Sequence, residues 1–353
     1  MLNVSIKQLF FDKIFMKVVI LVKKLSKNHH CIPQFYLNRF GTKQKNGEYT
    51  IFVYNKNEGK FFSNSVSNIS YVKNYNTIKI DSQETDEFEK LHNEIFEKSY
   101  SKKLSRVIEH IENFFKERSF TNCLSNEKLK ELDKITFFPA EYKYFLSILL
   151  AYFIKRSKKT RFFEEAAYDK IYYMMDNIFN SLKLDRNKFE ENVYDELGTK
   201  EQLKIGNIVS CFNKKELEQL ANYLYKHTWN IGYNRSNYLL YTCDSAHALT
   251  TIMKDYPKIY GVGYASPGSF IMFPLTPYIC ILMYDPIHLE RENIKVIDCN
   301  YVYLDEELVK FINEEISHEG IDEVYSKDGD WKHLKDFCKK EKLPLGHKPY
   351  SVN

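Results

Sequence analysis

Two adjacent histidines, His29 and His30, stand just ahead of Cys31-Ile32-Pro33. Imidazole is the side chain best suited to moving protons or ligating a metal near neutral pH. Pro33 suits a first helical position, so the pair precedes a helix N-terminus, where backbone N–H groups favour an anion. Neighbouring side chains on an extended chain point to opposite faces, so only one imidazole enters any shared site, and His30 is taken as that one. Gln34 follows on the helix. The plainer account is that both rings satisfy buried backbone groups and orient the helix. A second set of residues lies on the helix opened by Pro139. Its stripe of Phe145, Leu149 and Tyr152 continues to Arg156 and Lys159. Long cations on a buried face invite a carboxylate or phosphate partner. Cations in a last turn also offset the helix dipole while their stems snorkel. With Lys155, Lys158 and Arg161 they form the densest basic cluster in the chain. Asp244, followed by Ser245, ends an expected strand. A sheet can hold such a carboxylate rigidly beside an open loop, although Asp also serves as a turn residue bonding its own backbone. The candidates are thus His29, His30 and Asp244 as catalytic groups, with Gln34, Arg156, Lys159 and Ser245 binding an anion or substrate.

The elements that must position these residues are legible in outline. Tyr36, Leu37 and Phe40 form one face of a short helix, with Gly41 expected as its left-handed stop. Tyr49 to Tyr54 is aromatic and β-branched, and Asn57-Glu58-Gly59-Lys60 turns it into Phe61-Phe62, as in a hairpin. From about Asp86 the apolar period becomes helical, through Phe88, Leu91, Ile95, Leu104, Val107, Ile108, Ile111 and Phe115. Residues 119–134 read as a polar connection. The helix from Pro139 is the most apolar, another runs from Phe162 to about Leu182, and weaker amphipathic pieces lie at Phe189 to Leu197 and Lys214 to Tyr225. Strand signals return at Tyr238 to Thr242, Phe270 to Phe273 and Tyr278 to Tyr284, before Asp305 caps a helix that stops near Gly320. Strands at both ends of a helical middle imply an α+β fold, with a small mixed or antiparallel sheet built from N- and C-terminal segments and packed on residues 85–227. The expected organisation is a leader over 1–27, a domain over 28–330 and a tail over 331–353.

Composition narrows the function classes. With 51 Lys and Arg against 47 Asp and Glu, the formal charge of +4 is too small for a global nucleic-acid footprint. Seven cysteines, an odd number without a Cys-x-x-Cys pair, fit a reducing cytoplasm and exclude the usual thiolate zinc sites. The stretch Leu9 to Leu25 is interrupted by Asp12, Lys13, Lys17, Lys23 and Lys24, so no bilayer span is expected. No cofactor motif is evident: G-x-G-x-x-G, the phosphate-binding loop and G-x-S-x-G are all missing. A divalent metal at the histidines stays open.

The string His29-His30-Cys31-Ile32-Pro33-Gln34-Phe35-Tyr36-Leu37-Asn38-Arg39-Phe40 resembles the opening His-His-x-x-Pro-x-x-Tyr-Leu-x-x-Phe motif of the bacterial family called domain of unknown function 4238. Later blocks agree in order: Ile51 to Lys56, Val66 to Tyr75, Tyr238 to Asp244, and Phe273-Pro274-Leu275-Thr276-Pro277. The resemblance spans roughly residues 28 to 330. Thr242-Cys243-Asp244-Ser245-Ala246 departs from the family's Thr-Ser-Asp-Asn-Pro by losing Asn-Pro. The resemblance implies no activity. His-His-x-x-Pro is also superficially similar to the string in His-Asn-His endonucleases, but that motif needs a following Asn and His on a short helix, and the helix after Pro33 offers only Gln34, Asn38 and Arg39. Three readings result. One is a metal-assisted, nuclease-like hydrolase using His30 and Asp244, with Arg156 binding an anionic group. The second is a non-catalytic module binding nucleic acid or nucleotide, and the third a component of a bacterial defence or toxin-type system that needs a protein partner.

Overall fold

The computed structural model describes residues 28–80, 83–120, 137–181, 199–253 and 262–340. The expected leader, most of the polar connection, the piece at 189–197, Cys123, Gly261 and the end of the tail lie outside these residues.

The chain opens with strand β1 (Asn28–His30) and passes Pro33, which serves as N-cap, into the one-turn helix α1 (Gln34–Leu37). A 3-10 turn over Asn38–Phe40 follows. Gly41 does not adopt the left-handed conformation expected of it: its φ is −99° and its ψ 166°. Glycine is needed there for close approach, since a Cβ would lie 3.2 Å from both the Thr50 carbonyl oxygen and the Tyr49 Cβ. Strands β2 (Thr42–Lys43), β3 (Tyr49–Asn55) and β4 (Lys60–Ser65) come next, with Gly59 at φ +64° in the expected turn. Strand β5 (Tyr71–Lys73) pairs antiparallel with β1, placing His29 opposite Val72 and His30 opposite Tyr71. A small hairpin of β6 (Ile78–Ile80) and β7 (Gln83–Thr85) leads into the helical middle.

That middle comprises α2 (Glu87–His92), a π-helical stretch over Asn93–Tyr100, α3 (Ser101–Phe120), α4 (Ala140–Arg156), α5 (Lys158–Ser181), α6 (Lys200–Ser210) and α7 (Lys214–Lys226). Helix α4 is buried nearly all round, as its continuous apolar sequence requires. Its end is defined by Ser157, whose backbone is extended and whose hydroxyl accepts the Thr160 N–H at 3.1 Å, starting α5. The expected stripe through Arg156 to Lys159 is therefore broken, and Lys159 belongs to the next helix.

Strands β8 (Thr228–Asn234), β9 (Thr242–Cys243), β10 (Ala248–Thr251), β11 (Ser269–Thr276) and β12 (Ile279–Tyr284) follow. They are succeeded by α8 (Pro286–Arg291), β13 (Asn300–Leu304), α9 (Glu306–Glu319), β14 (Glu323–Ser326) and α10 (Lys332–Lys340). One five-stranded sheet has the order β10-β11-β12-β8-β13, antiparallel except that β13 runs parallel to β8. Both of its faces are covered, which explains the unbroken apolar runs of β11 and β12. Ile271, Phe273, Ile281 and Met283 share a core with Leu149, Tyr152 and Phe153 of α4. Phe270, Met272 and Leu282 share another with Val309, Ile312 and Ile316 of α9. The second five-stranded sheet runs β2-β3-β14-β9, with β4 on β3, and so joins N- and C-terminal segments as an α+β fold of this kind demands. Of the expected 238–242 strand only Thr242 lies in a ladder, continued by Cys243. Trp331, Leu334 and Cys338, in the expected tail, are buried against the α9 side of the sheet.

Candidate functional site at the paired histidines

Strand alternation decides where each histidine goes. His29 is fully buried and His30 half-buried. The His29 Nδ1 accepts the Asn76 backbone N–H at 2.7 Å. Asn76 joins several buried groups: its amide donates to Glu89 Oε2 at 2.6 Å, and its side-chain oxygen accepts from Arg161 at 2.6 Å. Glu89 is paired with Arg156 at 3.1 Å. Arg156 donates to the Tyr152 hydroxyl at 2.6 Å, which lies 2.9 Å from His92 Nδ1. A continuous polar seam thus runs from β1 through the 74–77 turn and α2 to the end of α4. Burial works against the charge of Arg156, but Tyr152 and Glu89 outweigh it and hold the guanidinium protonated. Burial and the nearby charge of Arg156 push His92 well below the ordinary imidazole value.

His30 occupies the outer end of this seam. Its Nδ1 lies 3.1 Å from the Ile69 carbonyl oxygen and its Nε2 2.7 Å from the Gln34 side-chain amide. A carbonyl only accepts, so Nδ1 carries the proton and Nε2 presents its lone pair to the Gln34 N–H. Burial lowers the His30 pKa, Glu89 opposes this and Arg156 reinforces it. The ring is therefore a neutral base in one fixed tautomer. The Glu97 carboxylate caps α1, accepting the backbone N–H groups of Gln34 at 3.0 Å and Phe35 at 3.4 Å. Burial raises its pKa, against those two bonds and Arg156. His227 and His247 share the His30 pattern. Each has Nδ1 at a backbone carbonyl, of Tyr223 and Ser245, and Nε2 at a hydroxyl, of Ser269 and Tyr264. Both the His227 and Ser269 side chains are buried, so this bond ties α7 to β11.

The structure brings together His29, His30, Gln34 and Arg156, and sends the other candidates elsewhere. Asp244 is fully buried and accepts the backbone N–H groups of Ile321 and Asp322, each at 2.8 Å, with Lys158 at 4.0 Å. Pairing of β9 with β14 puts it against the turn after α9, where it organises backbone. Ser245 beside it is buried, and its hydroxyl has no hydrogen-bond partner among the described residues. Lys159 is committed to Glu319 at 2.6 Å. The leading charges acting on His30 are those of Glu89, Arg156 and His29. Among the described residues no three His, Cys, Asp or Glu side chains are grouped so as to hold a metal ion. The sequence pointed to a carboxylate or phosphate partner for Arg156, and the fold supplies a carboxylate. Its identity as Glu89, and the role of Asn76, carry no local signal because both contacts are made across distant segments.

The comparisons can now be set beside this geometry. The sequence matches the family described as protein of unknown function (DUF4238) over residues 28–330. The chain belongs to this family. Residues 28–330 contain the whole seam, from β1 to Arg161, and both five-stranded sheets. No curated protein and no solved structure matches the chain. No described helix is long and apolar enough to cross a membrane.

Proposed function

We propose that this DUF4238 chain is a hydrolase that uses His30 as a general base. The observation that carries the reading is the neutral tautomer of a half-buried imidazole, its acceptor nitrogen facing the side-chain amide of Gln34. A water displacing the Gln34 amide would donate its proton to Nε2 as its oxygen attacks an ester carbon or phosphorus. The proton then passes to the departing alkoxide. No step is routed through a metal, because the described donors do not converge on one.

The test is turnover of p-nitrophenyl carboxylic esters and of bis(p-nitrophenyl) phosphate, with and without EDTA. The second substrate covers the phosphodiester class expected of a nuclease. His30→Ala should lower turnover by about 10²–10⁴-fold, the usual worth of a general base, with EDTA having no effect. Turnover that survives His30→Ala unchanged ends the assignment.

A second reading is favoured by His29, which is buried on a backbone N–H and whose neighbour also bonds a backbone carbonyl. The pair is then a clamp between β1 and the 69–76 segment. On that reading neither substrate class is hydrolysed and His30→Ala only lowers the melting temperature.

A further inference from the structure

Two of the sequence blocks meet at the surface, away from the histidines. Arg39, from the first block, and Thr276-Pro277, from the Phe-Pro-Leu-Thr-Pro block, line a cleft of about 390 Å³. One face of α3 forms the opposite wall through Ser105, Ile108, Glu109 and Glu112, with Lys327 and Tyr278 also lining the cleft. The volume is at the small end of the range for ligand sites.

The charged groups of this cleft form no ion pair among the described residues. Arg39 is half-buried and hydrogen-bonds the Ser105 hydroxyl. Glu112 acts on it electrostatically, yet no carboxylate lies within ion-pair distance of it among the described residues. The Lys327 ammonium stands 5.7 Å from the centre of the Tyr278 ring and forms no ion pair with any described residue. Glu109 and Glu112 form no ion pair with any described residue. The Thr276 hydroxyl accepts the N–H groups of Tyr278 and Ile279, each at 3.1 Å, which fixes the turn carrying the aromatic ring. Two cations and two carboxylates thus line one small cleft with no ion pair between them among the described residues, beside Ile108 and Tyr278.

We propose that this cleft binds a small zwitterion, a free amino acid or dipeptide with an apolar side chain. Its carboxylate is taken by Arg39 and Lys327, its ammonium by Glu109 and Glu112, and its side chain by Ile108 and Tyr278. Arg39 suits the first task, because a guanidinium held by a hydroxyl offers its remaining N–H groups in a fixed fork. The inference is independent of any chemistry at His30.

Calorimetric titration of the full chain tests it with four probes: L-phenylalanine, glycyl-L-phenylalanine, N-acetyl-phenylalanine and phenylalanine amide. At least one of the two zwitterions should bind, and each singly blocked analogue should bind about tenfold or more weakly. Glu112→Gln should remove the preference for the free ammonium, and Lys327→Gln, at a rim position that leaves the fold intact, should weaken carboxylate binding. Arg39→Gln should abolish binding if it folds. Blocked analogues that bind as well as the zwitterions overturn the proposal, as does an absence of heat with all four probes at millimolar concentration.

Discussion

At the scale of single residues, the seam is held by one buried ion pair. Arg156 and Glu89 are 2% and 4% exposed, so removing either leaves the other charge buried without its partner. Loss of one member of such a pair typically costs about 3–5 kcal/mol, whereas replacing both by apolar residues of similar volume is often close to neutral. Arg156→Met should therefore destabilise by about that amount in urea unfolding, and Arg156→Met with Glu89→Met should recover most of it. If the single and double variants are equally unstable, the pair is not what the arginine contributes. Cys31, next to His30, is a further buried group in the same neighbourhood. Burial pushes its thiol up to about 11, against the nearby cations Lys158, Arg156 and Arg161. A thiol so raised and buried is a packing residue, in agreement with the buried, unpaired state of the other described cysteines.

At the scale of elements, glycine and the ends of α4 set the framework. The expectation of a left-handed Gly41 and its observed extended geometry make opposite predictions. A left-handed stop tolerates Asn better than Ala. A glycine required for close approach tolerates neither, because any Cβ meets the Thr50 carbonyl and Tyr49. Gly41→Asn and Gly41→Ala should both cost about 1–3 kcal/mol of stability, the usual range for overpacking. Near-native stability of the Asn variant alone would restore the left-handed account. The break at Ser157 has a comparable consequence for the candidate site. It turns Lys158 and Lys159 toward Asp322 and Glu319 while Arg156 faces Glu89. Consecutive cations in the sequence thus serve two separate clusters.

At the scale of the whole molecule, the buried histidines set a dependence on pH. His30, His92, His227 and His247 all have pKa values lowered from the ordinary 6.5, with burial as the main cause. The folded state therefore binds fewer protons than the unfolded chain below pH 6.5. Stability is complete above that value and is lost as pH falls through it, by up to about 1.4 kcal/mol per histidine per pH unit. Glu97 and Asp244 work in the opposite sense, since burial raises both above their ordinary values and their folded forms take up protons first as pH falls. They soften the loss in the more acidic range. Urea midpoints should drop between pH 7.5 and pH 5.5. A flat profile over that interval would show that the four histidines are not held neutral in the fold.

Periodicity and cap chemistry determined much of the framework from sequence alone. The strand 49–54, the helix after Pro139, the apolar runs that became β11 and β12, and the Asp305 cap were all legible because each depends on residues a few positions apart. The pairing of N- and C-terminal strands was also readable in kind, as was the pull of Arg156 toward a carboxylate or phosphate. What only the tertiary structure decided was which distant groups meet. Strand β8 alternates Trp229, Ile231 and Tyr233 with Thr228, Asn230, Gly232 and Asn234, but its place between β12 and the parallel β13 is set by pairing across distant segments. Asp244 looked free for chemistry until β9 paired with β14 and set it on two backbone amides. His30 became the outer member of the pair through the register of β1 on β5, and its tautomer through a carbonyl 39 residues away. Such contacts are made by loop closure across long separations, and no local pattern of side chains encodes the identity of the partner.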